Sequence, residues 1–332
     1  MFIRIIIFLI LCSSHFINAK EYNVAFYSDF EPISYSEDRD SSSAQFNQAK
    51  GYEVDLLKAI EAMPDSEMTF TFHGVKEWNN IWLTPYTNPE IDIAMGGITR
   101  EDRRLLNAEQ KQVVATTHRT TQFKQSLLMR SDSTNINTHE DLNCSYVIGA
   151  VRGTTGEYRY LAQSNIISNI DDGFILEGIT VVLENKEYII SDGSLSIYDP
   201  RIETRTMLLP FYCTFPITKY FIAEDSMIPA LKDGYIDGIA RGYIGNKLVA
   251  DNSNGEFVVK AIYSLECPRQ ESISCSLKEE AVFFIKLEDQ KLLNKLNLYI
   301  DYLTDHGLVD YDDWKLNKNI FMERAMLIQN LR

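Results

Sequence analysis

The sequence contains little cysteine, little histidine and few positive charges, and each shortage argues against a class of protein. Among 332 residues there are five cysteines and five histidines, and no Cys/His spacing resembles a zinc site. Acidic residues outnumber basic ones by 47 to 32 and are spread along the chain. Because phosphate backbones need basic stripes, nucleic acid is not expected as a partner. No cofactor and no metal site are expected either.

Long apolar runs are also missing, apart from one at the N-terminus. Residues 1–19 predict a secretory signal peptide, because their apolar run is too short to cross a bilayer. Cys12 is compatible with a lipoprotein site, but the preceding Leu11 is larger than such a site prefers, so lipidation is the less favoured alternative. The mature protein is expected in the periplasm, although the sequence does not decide whether the segment is cleaved. The remaining chain is long enough for two domains.

Four cysteines remain after residue 19, and an oxidising compartment favours disulfides between them. The short spacing of Cys267 and Cys275 makes that pair the first expectation. Cys144 and Cys213 would then form the second pair.

Two strand-to-helix turns have a similar pattern. Residues 91–95 predict a short buried strand, a Gly96-Gly97 turn follows, and Thr99 with Asp102 has the spacing of a capping box that opens a helix. Residues 146–150 predict a second strand, followed by a Gly turn and by Thr154 and Glu157 with the same spacing.

Arginines follow the first turn directly. A helix N-terminus beside a guanidinium suits a carboxylate or another small anion. The alternative is that the two boxes only cap their helices and the arginines are solvated.

These two segments, with residues 50–60 before them, residues 228–239 after them and residues 280–314 at the end, resemble the extracellular solute-binding proteins of family 3. The resemblance covers most of the mature chain. It implies periplasmic receptors for polar amino acids that serve ABC importers, and therefore a small-molecule ligand, a membrane permease as partner and a monomeric protein.

The resemblance also implies the fold. An α/β, type II periplasmic-binding-protein fold has two lobes, each a mixed sheet flanked by helices, with the ligand cleft between them. The expected division is residues 20–125 for the first lobe, 126–279 for the second lobe, and 280–332 for the return to the first lobe. Residues 160–225 exceed what the family core requires, and we interpret them as an insertion in the second lobe with extra strands.

By the same resemblance, one arginine grips the α-carboxylate of the ligand. An ungapped match places Arg104 there, and a shift of one residue would place Arg103 there instead. The other implied ligand-binding residues are Phe30, Trp78, Gly97, Thr99, Thr154 and Thr155. For Phe30, stacking on the ligand and an ordinary core role are equally compatible with the sequence.

The amine end of the expected site departs from the family pattern. Five residues after Asp237 the family usually has an acid, but this chain has Gly242, preceded by Arg241. A buried ammonium without a carboxylate partner is costly. Either another acid takes that role, with Asp29 and Glu31 as the nearest candidates, or the ligand is not a zwitterionic amino acid.

The function expected from the resemblance is non-catalytic: a receptor that captures a small carboxylate-bearing solute, an amino acid, by hinged lobe closure and delivers it to a permease. Two alternatives stay open. One is an enzyme similar to cyclohexadienyl or arogenate dehydratases, which share this fold, and the other is a degenerate binding or sensor module.

Overall fold

The computed structural model describes residues 19–262 and 278–330, and it confirms the α/β, two-lobed fold class. The predicted signal peptide and the predicted Cys267–Cys275 pair lie outside the described residues. Within the described part of the chain, no helix has both the length and the apolar character needed to cross a bilayer.

The strands of the described residues include one at each of the two predicted strand segments, residues 91–95 and 146–150. They are β1 (Lys20–Tyr27), β2 (Asp29–Phe30), β3 (Ser34–Tyr35), β4 (Met68–Val75), β5 (Ile93–Met95), β6 (Val114–Thr116), β7 (Thr121–Phe123), β8 (Gln125–Arg130), β9 (Val147–Val151), β10 (Ile179–Leu183), β11 (Lys186–Ile189), β12 (Arg205–Pro210), β13 (Ile217–Phe221), β14 (Gly238–Gly242), β15 (Phe257–Ala261), β16 (Glu279–Ala281) and β17 (Phe284–Lys286).

The helices of the described residues pack against these sheets. They are α1 (Tyr52–Ala62), α2 (Thr84–Thr87), α3 (Thr155–Gln163), α4 (Met227–Lys232), α5 (Tyr243–Asn252), α6 (Gln290–Leu303), α7 (Tyr311–Leu316) and α8 (Ile320–Asn330). In α6, Leu292, Leu296 and Ile300 are fully buried, as their helical spacing predicts. Trp314 of α7 donates from Nε1 to the Asp55 carboxylate at 3.0 Å, which fastens the C-terminal helices to α1.

The first lobe is built on a five-stranded mixed sheet with the order β4-β1-β5-β17-β6. β1 runs parallel to both of its neighbours, whereas β17 runs antiparallel to β5 and β6. β4 and β5 run parallel to β1, so all three strands end at the same edge of the sheet. This edge faces the second lobe.

The second lobe is built on an eight-stranded mixed sheet with the order β11-β10-β12-β13-β9-β14-β8-β15. Residues 160–225 contribute β10, β11, β12 and β13, so this part of the chain extends the sheet. β10 lies between β11 and β12 at the edge of the sheet and pairs antiparallel with both, and β13 pairs parallel to β9. A disulfide between Cys144 and Cys213, with the Cα atoms 4.7 Å apart, ties this extension to the start of β9 and confirms the predicted pairing.

Two chain crossings connect the lobes. β7 and β16 lie between the two sheets and pair antiparallel with each other. Each crossing divides into a hinge strand and a sheet strand, β7 and β8 in the first and β16 and β17 in the second. The chain must bend at Lys124 and at Val282 since the two halves of each crossing belong to different sheets.

The first predicted capping box does not form. Thr99 is extended and pairs with the main chain of Ala281, while residues 102–105 make a single 3-10 turn after Glu101. Because Thr99 is engaged by the returning chain, it cannot begin a helix. The second box forms in part: Thr154 caps α3 by accepting from the Glu157 N–H at 3.1 Å, but the Glu157 carboxylate accepts from Gly153 instead of Thr154.

Candidate ligand-binding cleft

A small cavity of about 30 Å³ lies where the two lobes meet. A cavity of this size has room for about one or two water-sized molecules, and an amino acid would not fit. Its lining residues come from both lobes and from the crossings between them: Phe30, Trp78, Gly97, Thr99, Phe123, Gln125, Thr154, Thr155, Gly156, Glu224, Arg241 and Gly242. The structure thus brings together every predicted site residue except Arg104.

The first-lobe wall is formed by the turn after β5. Gly97 has φ +67°, and a Cβ atom there would lie 2.6 Å from Cε1 of Phe30, so this close approach requires glycine. The buried Glu53 carboxylate accepts from the N–H groups of Gly96 and Gly97 at 2.9 and 3.0 Å and from the Thr120 hydroxyl at 3.0 Å. Glu53 thereby ties α1, the glycine turn and the hinge together. Burial raises the pKa of Glu53 to about 7, although these hydrogen bonds act against the rise.

Arg104 lies directly behind this wall and is completely buried. Its Nη1 donates to the Thr99 carbonyl at 2.8 Å, and its Nη2 donates to the Gly153 carbonyl at 2.9 Å. The guanidinium also stacks 4.8 Å from the Trp82 ring centroid and lies 3.4 Å from a Glu101 carboxylate oxygen. All these partners belong to the protein, so in this conformation Arg104 faces no open space.

The neighbouring Arg103, the alternative in the shifted match, points elsewhere. Its guanidinium lies between the rings of Tyr158 and Tyr198, 4.0 and 4.3 Å from their centroids, and it pairs with Glu101. It lines a separate cavity beside the second-lobe extension.

The carbonyl oxygen of Gly153 receives two donors from the opposite lobe. Besides Arg104 Nη2, the indole Nε1 of Trp78 donates to it at 2.9 Å. The Trp78 ring is held edge-on against Tyr27, with the ring centroids 5.0 Å apart. Two donors from the first lobe therefore meet at one oxygen of the second lobe, across the cleft.

The second-lobe wall is the N-terminus of α3. The Thr154 hydroxyl is fully engaged as the helix cap, since it accepts from the Glu157 N–H and donates to the Val151 carbonyl at 2.8 Å. Thr155 and Gly156 follow in the first turn, where N–H groups have no carbonyl partner within the helix. Glu157 forms a buried ion pair with Arg205 of β12 at 2.5 Å, which anchors the extension to this wall.

The sequence model of the bacterial extracellular solute-binding proteins, family 3, matches residues 22–314. The chain belongs to this family. A comparison with curated protein sequences gives no significant match.

Several solved structures are similar to this chain over most of its length. An ABC uptake transporter substrate-binding protein from Streptococcus pneumoniae with bound histidine has a TM-score of 0.57 and 16% identity, covering 94% of each chain. The arginine-, lysine-, histidine-binding protein ArtJ from Geobacillus stearothermophilus has a TM-score of 0.53 and 15% identity, covering 92% of this chain and 94% of its own. The ancestral amino-acid-binding protein AncCDT-1, a precursor of cyclohexadienyl dehydratase, has a TM-score of 0.56 and 17% identity, covering 89% and 94%. At sequence identities of 15–17%, the structural similarity shows the fold alone.

At the amine end of the family site, the structure shows an acid that the sequence reasoning missed. Glu224, in the loop before α4, lines the cavity and pairs with Arg241 of β14. Burial raises the pKa of Glu224 to about 7, while Arg241 acts against the rise. No local pattern marks Glu224 as a site residue, because its position depends on how the loop packs over β14.

The two acids proposed from sequence do not line the cavity. Asp29 is bound on both oxygens: one accepts from Arg39 at 2.6 Å and the other from the Asp225 N–H at 2.9 Å. Glu31 is exposed. Gln125, at the start of β8, is the other polar lining residue that sequence reasoning did not place in the site, although it stands at the predicted hinge.

Proposed function

We propose that this family member is an exported, monomeric receptor of the periplasm that captures a small carboxylate-bearing solute, an amino acid, and presents it to an ABC import permease. Membership of the family supports the binding role. The similar structures named above include an ABC substrate-binding protein with bound histidine and an arginine-, lysine-, histidine-binding protein, which supports an amino acid as the class of solute.

The observation that carries the proposal is the meeting of two donors at the Gly153 carbonyl. Arg104 Nη2 and Trp78 Nε1 both point from the first lobe across the cleft at this oxygen. A solute carboxylate has the same acceptor chemistry with a full negative charge, and a guanidinium fork binds it more strongly than it binds a neutral carbonyl. In this proposal the carboxylate replaces Gly153 on Arg104 when the lobes separate.

The remaining predicted residues would surround that carboxylate and the rest of the solute. Gly97 and Thr99 lie on the first-lobe wall and Thr155 supplies an N–H at the helix N-terminus, where an anion is favoured. Thr154 would hold the helix end in place through its cap, and Phe30 would supply an apolar wall.

Lobe opening is required because the cavity of about 30 Å³ is too small for an amino acid. The antiparallel pair β7 and β16 is the place for the hinge, since both crossings pass through it.

The experiment is to measure binding of the standard L-amino acids to wild type by thermal shift and then by calorimetry, followed by the same measurement on Arg104→Ala and Arg104→Lys. Loss of a buried charged partner weakens binding by at least about 30-fold, and lysine recovers little because it lacks the fork. Arg100→Ala, an exposed arginine in the same run, is the matched control and should bind as wild type does.

Arg103→Ala tests the alternative alignment, shifted by one residue, in which Arg103 binds the carboxylate of the solute. If Arg103→Ala abolishes binding while folded Arg104→Ala retains it, the assignment of Arg104 is wrong. If wild type binds none of the amino acids, the receptor proposal fails and the degenerate-module alternative is favoured.

One observation favours an enzyme as second candidate. A dehydratase needs a general acid in the cleft, and the buried Glu224, with its pKa raised to about 7 by burial, has the protonation behaviour of one. Incubation with prephenate, followed by NMR, tests this candidate: consumption by wild type and its loss in Glu224→Gln would move the protein to the enzyme class.

A further inference from the structure

Two buried side chains place acceptor oxygens in the cleft. Gln125 and Glu224 both line the cavity and are more than nine-tenths buried. Oε1 of Gln125 has no hydrogen-bond donor among the described residues, whereas the Glu224 carboxylate is paired with Arg241. Leaving a buried acceptor without a donor costs free energy, more so when it carries charge. The cleft therefore contains one acceptor without a donor and one whose present partner is a side chain of the protein.

The direction of the Gln125 amide is set by its other end. Its Nε2 donates to Oε2 of Glu279 at 2.7 Å, so the oxygen is the end that is turned toward the cavity. Glu279 itself is held by Arg159 at 2.6 Å. Because a carboxylate accepts and does not donate when ionised, the amide is fixed in this orientation.

The free amide oxygen faces the position where the family usually has its acid. A Cβ atom on Gly242 would lie 3.9 Å from Gln125 Oε1 and 3.1 Å from Cζ of Phe30. An acidic side chain at residue 242 would have to displace the Phe30 ring. Gln125 thus presents an acceptor from β8 to the space that an acid at residue 242 would reach, and Glu224 lines the same cavity as Gly242.

Glu224 already has a cation beside it. Nε of Arg241 is in ion-pair contact with Oε2 of Glu224, and this contact lowers the pKa of the Glu224 carboxyl against the effect of burial. The guanidinium is held against α5, where a Cβ atom on Gly245 would lie 2.8 Å from its Cζ. Its Cζ is 5.5 Å from the centroid of the Phe30 ring.

An ammonium group fits this pair of acceptors better than a hydroxyl does. It carries three donors and a positive charge, so it can satisfy the amide oxygen and the carboxylate oxygen together. A hydroxyl has one donor and no charge, so it would leave one acceptor without a new donor and could not replace Arg241 as the cation beside the carboxylate. The preference therefore depends on Glu224, the charged member of the pair.

Resting on the proposed function, we infer that Glu224 and Gln125 form the ammonium-binding subsite of the cleft, and that Arg241 is a resident cation that the ammonium of the solute displaces from Glu224. This subsite replaces the acid missing at Gly242 and makes the amino group a determinant of specificity.

The test compares amino acids with 2-hydroxy acids of the same side chain, using the pairs alanine and lactate, aspartate and malate, and phenylalanine and phenyllactate, together with the corresponding pair for any other amino acid that binds. Wild type should bind the amino acid roughly 10- to 100-fold more tightly than its hydroxy acid, as a hydrogen bond to a charged group implies. Glu224→Gln should reduce this ratio to about one, with little change for the hydroxy acid.

Because Glu224→Gln leaves Arg241 buried without its partner, the double variant Glu224→Gln/Arg241→Gln is the fold-safe form and should show the same loss. Arg241→Gln alone should tighten binding of the amino acid severalfold, since the competing cation is gone. Asp29→Asn is the matched control, because Asp29 is a buried acid near the cleft that does not line it, and it should keep the wild-type ratio.

The possible failures are distinct. If neither amino acids nor hydroxy acids bind to wild type, the proposed function fails and this inference fails with it. If both bind equally to wild type, or if the folded double variant keeps the ratio, only the ammonium subsite is overturned. If Arg241→Gln weakens both kinds of solute equally, Arg241 is a contact for the solute and the displacement is wrong.

Discussion

Replacing Glu53 by glutamine should change how the stability of the protein depends on pH. Glu53 is buried, and burial raises its pKa from 4.5 to about 7 in the folded protein. Between pH 4.5 and about 7 the folded state therefore keeps a proton on the Glu53 carboxyl that the unfolded state has released. Because the folded state binds more protons in this range, its stability falls as the pH rises. Above about pH 7 the folded protein carries the buried charge and gains nothing from that proton.

The size of the effect follows from the two pKa values. The full difference corresponds to about 3 kcal/mol in the free energy of unfolding, most of which is lost between about pH 5 and pH 8. Glu224, whose pKa burial also raises to about 7, contributes a fall of similar size in wild type. Glu53→Gln should therefore remove about half of the combined fall.

Urea unfolding at several pH values between about 5 and 8 measures this difference. The glutamine oxygen can still accept from the glycine turn, so the variant should fold and its stability curve should be flatter than that of wild type by about 2 to 3 kcal/mol over this range. Glu61→Gln, an exposed glutamate on the same helix, is the control and should give a curve parallel to wild type. Parallel curves for Glu53→Gln and wild type would refute the reasoning.

Two further predictions concern the frame around the cleft. Replacing Cys144 and Cys213 by serine opens a loop spanning 69 residues in sequence, and equilibrium unfolding should show a loss of about 4 kcal/mol, whereas an unchanged midpoint would contradict a stabilising role. Gly97→Ala places a methyl group 2.6 Å from Cε1 of Phe30 at a left-handed φ of +67°. It should cost at least about 1 kcal/mol of stability and weaken solute binding, and calorimetry that shows wild-type affinity would contradict the close packing of this wall.

Polar groups in and beside the cleft are bound to partners within the protein. Arg104 and Trp78 both donate to the Gly153 carbonyl, and Arg241 pairs with Glu224. A zwitterionic solute carries a group that could replace one partner in each contact. Its carboxylate could replace the Gly153 carbonyl, and its ammonium could replace the Arg241 guanidinium. Solute binding would then exchange internal contacts for contacts with the solute, so the net affinity is the difference between the two sets.

Much of the fold could be predicted from the sequence because helix periodicity and helix caps depend on residues that are close together in the sequence. The helical spacing of Leu292, Leu296 and Ile300 predicts the buried side of α6, and the turn chemistry of Thr154 predicts the start of α3. Six of the expected site residues line one cavity, since each lies at a strand end or helix start that the family resemblance places at the cleft.

The partners of the charged groups could be decided only by the tertiary structure. Arg104 and the carbonyl it binds are 49 residues apart, and Gln125 and the carboxylate that orients it are 154 residues apart. The first predicted capping box failed for the same reason, because Thr99 pairs with the chain that returns at Ala281. Periodicity, turns and caps depend on residues a few positions away, whereas the acceptor that a buried donor finds depends on which distant segments pack beside it. The sequence by itself therefore determined the family, the two-lobed architecture and half of the residues that line the cleft, and only the tertiary packing brought Glu224, Gln125 and Arg241 together.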